Sequence, residues 1–358
     1  MDTRIDPALA VAPPVEAEER DLAQELVCID VHAETHDVKT FTFASTRGEA
    51  FSFKPGQYFL FDIVVDGQIE NRCYSISSAP SRSNAISVTV KRVPGGKASN
   101  WLHDNLTPGT RINAKGPLGL FIRPSAPKYL FLSGGSGITP VMSMLRELAD
   151  RCDQTDIVFM HAARTPADLV FRSELSCLAG RMKGLRLHFL PETVVGETQW
   201  SGMSGRISSA YMQMAVPDLS ARIVMCCGPA AFMAAARQIT AGLGLPASNY
   251  IEESFDAYAG SVEPAVLAPA SQSFNVTFAK QGRTIEVPDG QTVLSCAKKA
   301  GVKMPSSCSN GVCGTCKSKL LSGTVDMQHN GGIRQREIDM GLFLPCCSKP
   351  LGDLVIDR

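Results

Sequence analysis

Between residue 22 and about residue 122, apolar and polar positions alternate in short runs. VKTFTFAS, QYFLFDIVV, CYSISS and AISVTVKRV are rich in β-branched and aromatic residues, and Pro-Gly, Asp-Gly and Gly-Gly punctuate the region. Short, evenly spaced strands separated by turn residues predict an antiparallel β-barrel.

From about Lys128 the period changes. YLFLSGG is a continuous apolar strand and TPVMSMLRELAD a helix. DIVFMHA, PADLVFRSELSCLAG and LRLHFL read as strand, helix and strand, and ARIVMCCG with PAAFMAAARQITAGLG repeats the unit. Buried strands alternating with helices predict a parallel sheet with crossovers, whose ligands sit beyond the carboxyl ends of the strands. Residues 257–273, AYAGSVEPAVLAPASQS, carry little charge and read as a linker. The remaining stretch opens with a hairpin, FNVTFAKQGRTIEVPDGQ, and a helix around TVLSCAKKAG. The expected organisation is a leader over 1–21, a barrel over 22–124, an α/β domain over 125–256, the linker, and an α+β domain over 274–358.

Composition narrows the functions open to such a chain. In 358 residues, 35 basic and 35 acidic side chains cancel, with no basic stripe, which argues against nucleic acid or an anionic membrane as partner. No run of about 18 apolar residues is present to span a bilayer. The N-terminal MDTRIDPALAVAPPVEAEERD lacks the plan of a secretory signal and reads as a flexible leader. Twelve cysteines in so long a chain fit a cytoplasmic protein better than a disulfide framework. Cys28, Cys73, Cys152, Cys177, Cys226 and Cys296 lie in or beside apolar segments, where buried thiols are common.

Cys308, Cys313 and Cys316 stand apart, within CSNGVCGTC, at the spacing C-x4-C-x2-C. Zinc sites usually show two C-x2-C knuckles, and a disulfide conflicts with the compartment. Plant-type 2Fe–2S centres use this spacing, with a distant fourth cysteine. Gly311 and Gly314 allow the backbone to wrap closely around such a cluster.

NRCYSISSAP contains Arg72, Tyr74 and Ser75 in an R-x-Y-S pattern. An arginine neutralises a flavin phosphate, a tyrosine packs on an aromatic ring system, and a serine donates to a flavin nitrogen. In KRVPGGKASNWL, amides around Gly96, Ala98 and Ser99 open a helix and offer a cradle for a pyrophosphate, which points to FAD rather than FMN. FLSGGSGITPVMSML places Gly134, Gly135 and Gly137 in a turn before Thr139 and Pro140, so a dinucleotide's phosphates would meet a helix N-terminus.

These stretches resemble known families. PSSCSNGVCGTCKSKLLSG and LPCCSKPLGDLVID look like a plant-type ferredoxin domain with the β-grasp fold. That resemblance assigns the fourth cluster ligand to Cys346 in CCSKP, leaving Cys347 a bystander. FKPGQY, the R-x-Y-S motif, CGP at Cys227, Gly228 and Pro229, and EESF are similar, in this order, to the ferredoxin–NADP reductase family. The resemblance places Cys227 beside the nicotinamide, Glu253 near the hydride path and Phe255 against the flavin ring. Cys226, next on the strand, faces the opposite side. Arg164 is the cation nearest a possible 2′-phosphate; with no second cation adjacent, NADH is expected over NADPH.

The six histidines show no metal-ligand spacing and read as structural or solvated, and no G-x-S-x-G supports a hydrolase. A nicotinamide domain, a flavin barrel and a one-electron cluster form a sequence that takes electrons in pairs and delivers them singly. The implied activity is an NADH-dependent iron–sulfur flavoprotein reductase with FAD, serving a partner protein that docks near the cluster domain. The whole chain beyond the leader resembles reductase components of Rieske-type oxygenases of the glycine betaine demethylase type. It also resembles the NADH reductase of the hybrid cluster protein, the alternative partner. A redox-sensing module would need an output domain, and none is evident.

Overall fold

The computed structural model describes residues 23–197, 199–255, 273–302, 304–305, 311, 314, 316–329, 333 and 335–358. Six strands form one antiparallel sheet: β1 (Ala23–Thr35), β2 (Val38–Ser45), β3 (Tyr58–Val65), β4 (Gln68–Ser75), β5 (Ile86–Lys91) and β6 (Arg111–Leu118). Their order is β4-β3-β6-β1-β2-β5, and Ile76, just past β4, bridges to Val88 on β5. The sheet thus meets itself as a barrel. Alternation supplies the interior: Phe41 and Phe43 from β2 pack with Phe59 and Phe61 from β3. Helix α1 (Lys97–Asn105) adds Ala98 and Leu102 to that core. Strands β1 and β6 are not among the four runs read from the sequence. β1 buries only Leu26 and Cys28 of its 13 residues, so its many polar positions hide the alternation.

The second sheet is parallel throughout. It consists of β7 (Lys128–Gly134), β8 (Asp156–Ala163), β9 (Leu185–Pro191), β10 (Ile223–Gly228) and β11 (Tyr250–Ser254), in the order β11-β10-β7-β8-β9. Helices α2 (Ile138–Asp150) and α3 (Arg172–Arg181) share one hydrophobic cluster with the sheet, and α4 (Ser209–Ala215) and α5 (Ala230–Gly242) share the other. PADLVFRSELSCLAG is not one helix. Pro166–Asp168 form a single 3₁₀ turn, and Phe171, at φ 59°, breaks the chain before α3 begins. The Phe171 ring is buried under the Arg146 guanidinium, 4.7 Å from its centroid, which holds that left-handed residue in place. Cys152 and Cys177 are exposed and Cys73 only half-buried, contrary to the expectation of buried thiols. Cys177 lies on α3, which buries only Leu175 and Leu178.

Arg222 is fully buried beneath this sheet, with Asp156 at 2.9 Å and Asp218 at 2.8 Å. Its guanidinium also donates to the Tyr129 carbonyl. Hydrogen bonds from Arg222 and Lys128 hold the Asp218 carboxyl far below its ordinary range. A charge so placed is tolerable only because every donor is engaged.

Helix α2 joins the barrel to the parallel sheet. Ser143 Oγ donates to the Ser78 carbonyl at 2.7 Å, and Arg146 Nη1 to the Ser77 carbonyl at 2.6 Å. Asp150 accepts from Arg82 and Ser81. The segment that follows R-x-Y-S is therefore pinned to the helix that follows the glycine-rich turn.

The third sheet, in the order β13-β12-β18-β14-β16, contains β12 (Ser273–Phe278), β13 (Arg283–Pro288), β14 (Ser318–Ser322), β16 (Leu342–Phe343) and β18 (Leu354–Ile356). β15 (Val325–Met327) and β17 (Ser348–Pro350) pair separately. β12 and β13 form an antiparallel hairpin, whereas β12 and β18 run parallel. Helix α6 (Val293–Lys299) buries Val293, Cys296 and Ala297 in the same core; α7 (Gln335–Asp339) is a short helix beyond β15.

Candidate functional site

The carboxyl ends of β7, β10 and β11 lie side by side. In register, Cys227 stands between Ser133 on β7 and Glu253 on β11. Cys227 belongs to the hydrophobic cluster with α2 and Cys226 to the cluster with α5, so adjacent cysteines take opposite faces. Two glycine-rich turns abut here. A Cβ on Gly137 would lie 2.3 Å from the Cys227 carbonyl oxygen, and one on Gly228 would lie 3.0 Å from the Gly134 nitrogen. Gly137 is thus required by the approach of the Cys-Gly-Pro turn. Gly135, by contrast, has φ 52° with open space around it. Helix α2 opens with Ile138, Thr139 and Pro140, all buried, and Thr139 Oγ1 donates to the Ser136 carbonyl. Pro229 precedes α5 as its cap residue.

Glu253 is half-buried as a residue, but its Oε2 is sealed from water and has no hydrogen-bond partner among the described residues. Burial pushes its carboxyl up to about 8. An orphaned carboxyl at the edge of the parallel sheet, by the carboxyl ends of its strands, marks a place for a ligand or a transferable proton. Phe255, one residue beyond β11, packs half-buried against the same cluster. Next in the row, Ser133 Oγ and His161 Nδ1 are 2.8 Å apart, and burial lowers the imidazole to about 4. Arg164, just past β8, is held by Asp168 at 2.7 Å and by Asp37 of the β1–β2 turn at 3.5 Å.

On the barrel, β4 sets Arg72 and Tyr74 on one face by the two-residue period. The Tyr74 ring lies 5.9 Å from Phe61, and burial drives its phenol well above its usual range. Ser75 is buried opposite Tyr58. Arg72 Nη1 donates to the Asn71 carbonyl at 2.8 Å and Nη2 pairs with Glu70 at 2.9 Å, while the side chain stays 30% exposed. Gly96 caps α1, and a Cβ there would crowd Ser99 Oγ at 2.9 Å, the hydroxyl that accepts from the Val93 amide. The first amides of a helix have no carbonyl partner within it. With Arg72 near them, these donors fit the phosphates of an anionic dinucleotide, and a half-buried tyrosine fits a planar ring.

In the third sheet, Cys316 and Cys346 fall in one hydrophobic cluster with Leu294 and Leu344. The Gly311 amide donates to Cys346 Sγ at 3.3 Å, and Gly311 and Gly314 have φ of 75° and 71°. A buried sulfur receiving a backbone N–H, as Cys346 does, suits a thiolate ligand, and a second buried cysteine, Cys316, in the same small cluster fits an iron–sulfur centre. Cys308 and Cys313 lie outside the described residues. Cys347 Sγ is 3.6 Å from the Leu344 carbonyl. The sequence reading overlooked Glu70, Asp168 and Asp37. Glu70 was open to it: two residues before Arg72, it shares the face of Arg72 and Tyr74.

Fold and site together define an oxidoreductase with separate flavin, nicotinamide and iron–sulfur regions. Residues 25–122 match the oxidoreductase FAD-binding domain family, residues 131–238 the oxidoreductase NAD-binding domain family, and residues 276–351 the 2Fe-2S iron-sulfur cluster binding domain family. The glycine betaine monooxygenase reductase subunit of Pseudomonas aeruginosa is 41% identical over 92% of this chain and 94% of its own. The stachydrine N-demethylase reductase subunit Stc4 of Rhizobium meliloti is 40% identical over 92% and 95%. NADH oxidoreductase HCR of Escherichia coli is 31% identical over 90% and 94%. Among solved structures, phthalate dioxygenase reductase, a modular structure for electron transfer from pyridine nucleotides to [2Fe-2S], superposes with a TM-score of 0.60 at 24% identity, over 94% of this chain and 98% of its own. The chain belongs to the family of iron–sulfur flavoprotein reductases that includes the glycine betaine monooxygenase reductase subunits. It is a reductase component with FAD-binding, NAD-binding and 2Fe–2S domains, and no helix among its described residues is long and apolar enough to cross a membrane.

Proposed function

We propose that the chain uses NADH to supply electrons to the terminal Rieske-type oxygenase of a system that demethylates a small quaternary ammonium compound. Support for the partner comes from the 40–41% identity to reductase subunits named for glycine betaine and stachydrine, against 31% for HCR. Both compounds are N-methylated amino acids, so the substrate class would be shared even where the compound differs. The single structural observation behind the NADH choice is Arg164. Two carboxylates already compensate it, so a 2′-phosphate would have to displace Asp168 from an ion pair of 2.7 Å.

The residues take these roles. Arg72 and the amides around Gly96, Ala98 and Ser99 hold the FAD pyrophosphate; Tyr74 and Phe255 border the flavin ring, and Ser75 donates to it. Gly135, Gly137, Thr139 and Pro140 form the nicotinamide nucleotide's phosphate cradle, with Arg164 toward its adenosine. Cys227, Gly228 and Pro229 position the nicotinamide, and Glu253 holds a proton beside it. Cys308, Cys313, Cys316 and Cys346 bind the cluster. When bound, the flavin accepts electrons in pairs and the cluster carries them singly. Mixing the protein with a glycine betaine oxygenase, glycine betaine and NADH should release formaldehyde. The reading fails if only a hybrid cluster protein is reduced at a useful rate, or if NADPH gives the higher kcat/KM.

A further inference from the structure

The face of β4 that carries Tyr74 and Arg72 also carries Glu70. Glu70 Oε2 lies 2.9 Å from Arg72 Nη2, and Glu70 Oε1 lies 4.0 Å from Nζ of Lys97, the first residue of α1. One carboxylate therefore stands between two cations at the opening of the helix whose amides form the phosphate cradle. Glu70 is not among the residues of the barrel's hydrophobic core, and its side chain is 23% exposed near the start of β4, so core packing does not account for a carboxylate there.

We propose that Glu70 is a built-in counter-anion of the flavin phosphate site, which holds Arg72 in place without nucleotide and opposes the incoming pyrophosphate. The inference rests on Arg72 being the phosphate partner. Without Glu70, two positive side chains and the positive end of a helix would share one small surface without its negative charge. With Glu70, the cradle is balanced but committed. A pyrophosphate must either take Arg72 from the carboxylate or share the guanidinium with it, and in both cases the carboxylate stays beside a group of its own sign. Glu70 thus weakens FAD binding while keeping the empty cradle ordered, and its effect falls on phosphate-bearing ligands alone.

The test is flavin-fluorescence titration of the flavin-stripped full chain with FAD and with riboflavin, which has the same ring and no phosphate. Glu70→Gln keeps the shape and removes the charge. It should tighten FAD by about fivefold at low salt, the size of one partly exposed charge interaction, and leave riboflavin unchanged. Inorganic pyrophosphate should also displace FAD from the wild-type protein at a lower ratio than chloride does. Glu70→Asp should restore the weaker affinity, and thermal melts of both variants confirm that each is folded. FAD binding that is unchanged or weaker in Glu70→Gln overturns the proposal, as does equal tightening of riboflavin. Arg72→Ala separates the two levels: if it leaves FAD affinity intact, the phosphate role of Arg72 fails, whatever Glu70→Gln does.

Discussion

Gly137→Ala is the sharpest perturbation the structure offers. Gly137 has helical φ and ψ of −63° and −3°, so alanine is not excluded by its own backbone. The obstacle is the neighbouring turn. The added Cβ would sit 2.3 Å from the Cys227 carbonyl oxygen and 2.6 Å from the Gly228 nitrogen, all backbone atoms that cannot rotate away. Bringing the nearest contact out to 3.0 Å requires the two turns to part by at least 0.7 Å. Overpacking of this kind costs about 1–3 kcal/mol, and a shift of that size in the proposed cradle of backbone amides costs about a hundredfold in positioning. Gly135→Ala is the control. Its Cβ meets nothing within 4 Å, and only its φ of 52° opposes the change, at about 1 kcal/mol. Thermal melts and steady-state ferricyanide reduction with NADH would separate them. Gly137→Ala should lose most of its kcat/KM for NADH while FAD stays bound, whereas Gly135→Ala should retain far more. Equal behaviour of the two variants would refute the claim that the two turns set the nucleotide site by contact.

Three further outcomes follow from the same geometry. With its carboxyl raised to about 8, Glu253 keeps in the folded protein a proton that the unfolded chain loses near 4.5, so its contribution to stability declines as pH rises between those values. Glu253→Gln should flatten the pH dependence of thermal unfolding in that window and remove a titration near 8 from NADH-dependent activity. Arg222→Leu should destabilise the parallel sheet by about 1–3 kcal/mol, because the buried Tyr129 carbonyl loses its donor while Asp218 and Asp156 keep Lys128 and Arg186; denaturant unfolding checks this. Asp218 is held low by Arg222 in the wild type, so the pair's contribution is present near neutrality and is lost only as pH falls through the strongly acidic range. Arg146→Ala should slow flavin reduction by NADH several-fold in stopped flow with little loss of either cofactor, since it removes one of the bonds that pin α2 to the segment after R-x-Y-S while the Ser143 and Asp150 bonds remain, and Arg146 is not among the proposed cofactor residues.

Much of this fold is visible in the sequence because side-chain period follows burial. β2 and β10 are nearly complete in VKTFTFAS and ARIVMCCG, and the hairpin of β12 and β13 is plain in its alternation. What escapes is set by partners far along the chain. β1 is long but mostly solvent-facing, so its pattern is weak. Phe171 adopts a left-handed conformation that no local propensity predicts, since Arg146 covers its ring from another element. For the site, motif residues such as Arg72 and Cys227 are legible through spacing, and the roles proposed for them depend on the family resemblance. Of the ion pairs that condition such residues, Glu70 with Arg72 follows from the strand period, whereas the pair on Arg164 does not. Asp37 reaches Arg164 across 127 positions, a relation that only folding creates.

The most direct test is anaerobic rapid mixing of the wild-type protein with NADH, followed in parallel by flavin absorbance and by low-temperature electron paramagnetic resonance. The account predicts bleaching of the flavin band first, then a rhombic signal of a reduced 2Fe–2S centre, absent in Cys346→Ser but retained in Cys347→Ser. A flavin that turns over with ferricyanide while the iron–sulfur signal never develops in the wild type would contradict it.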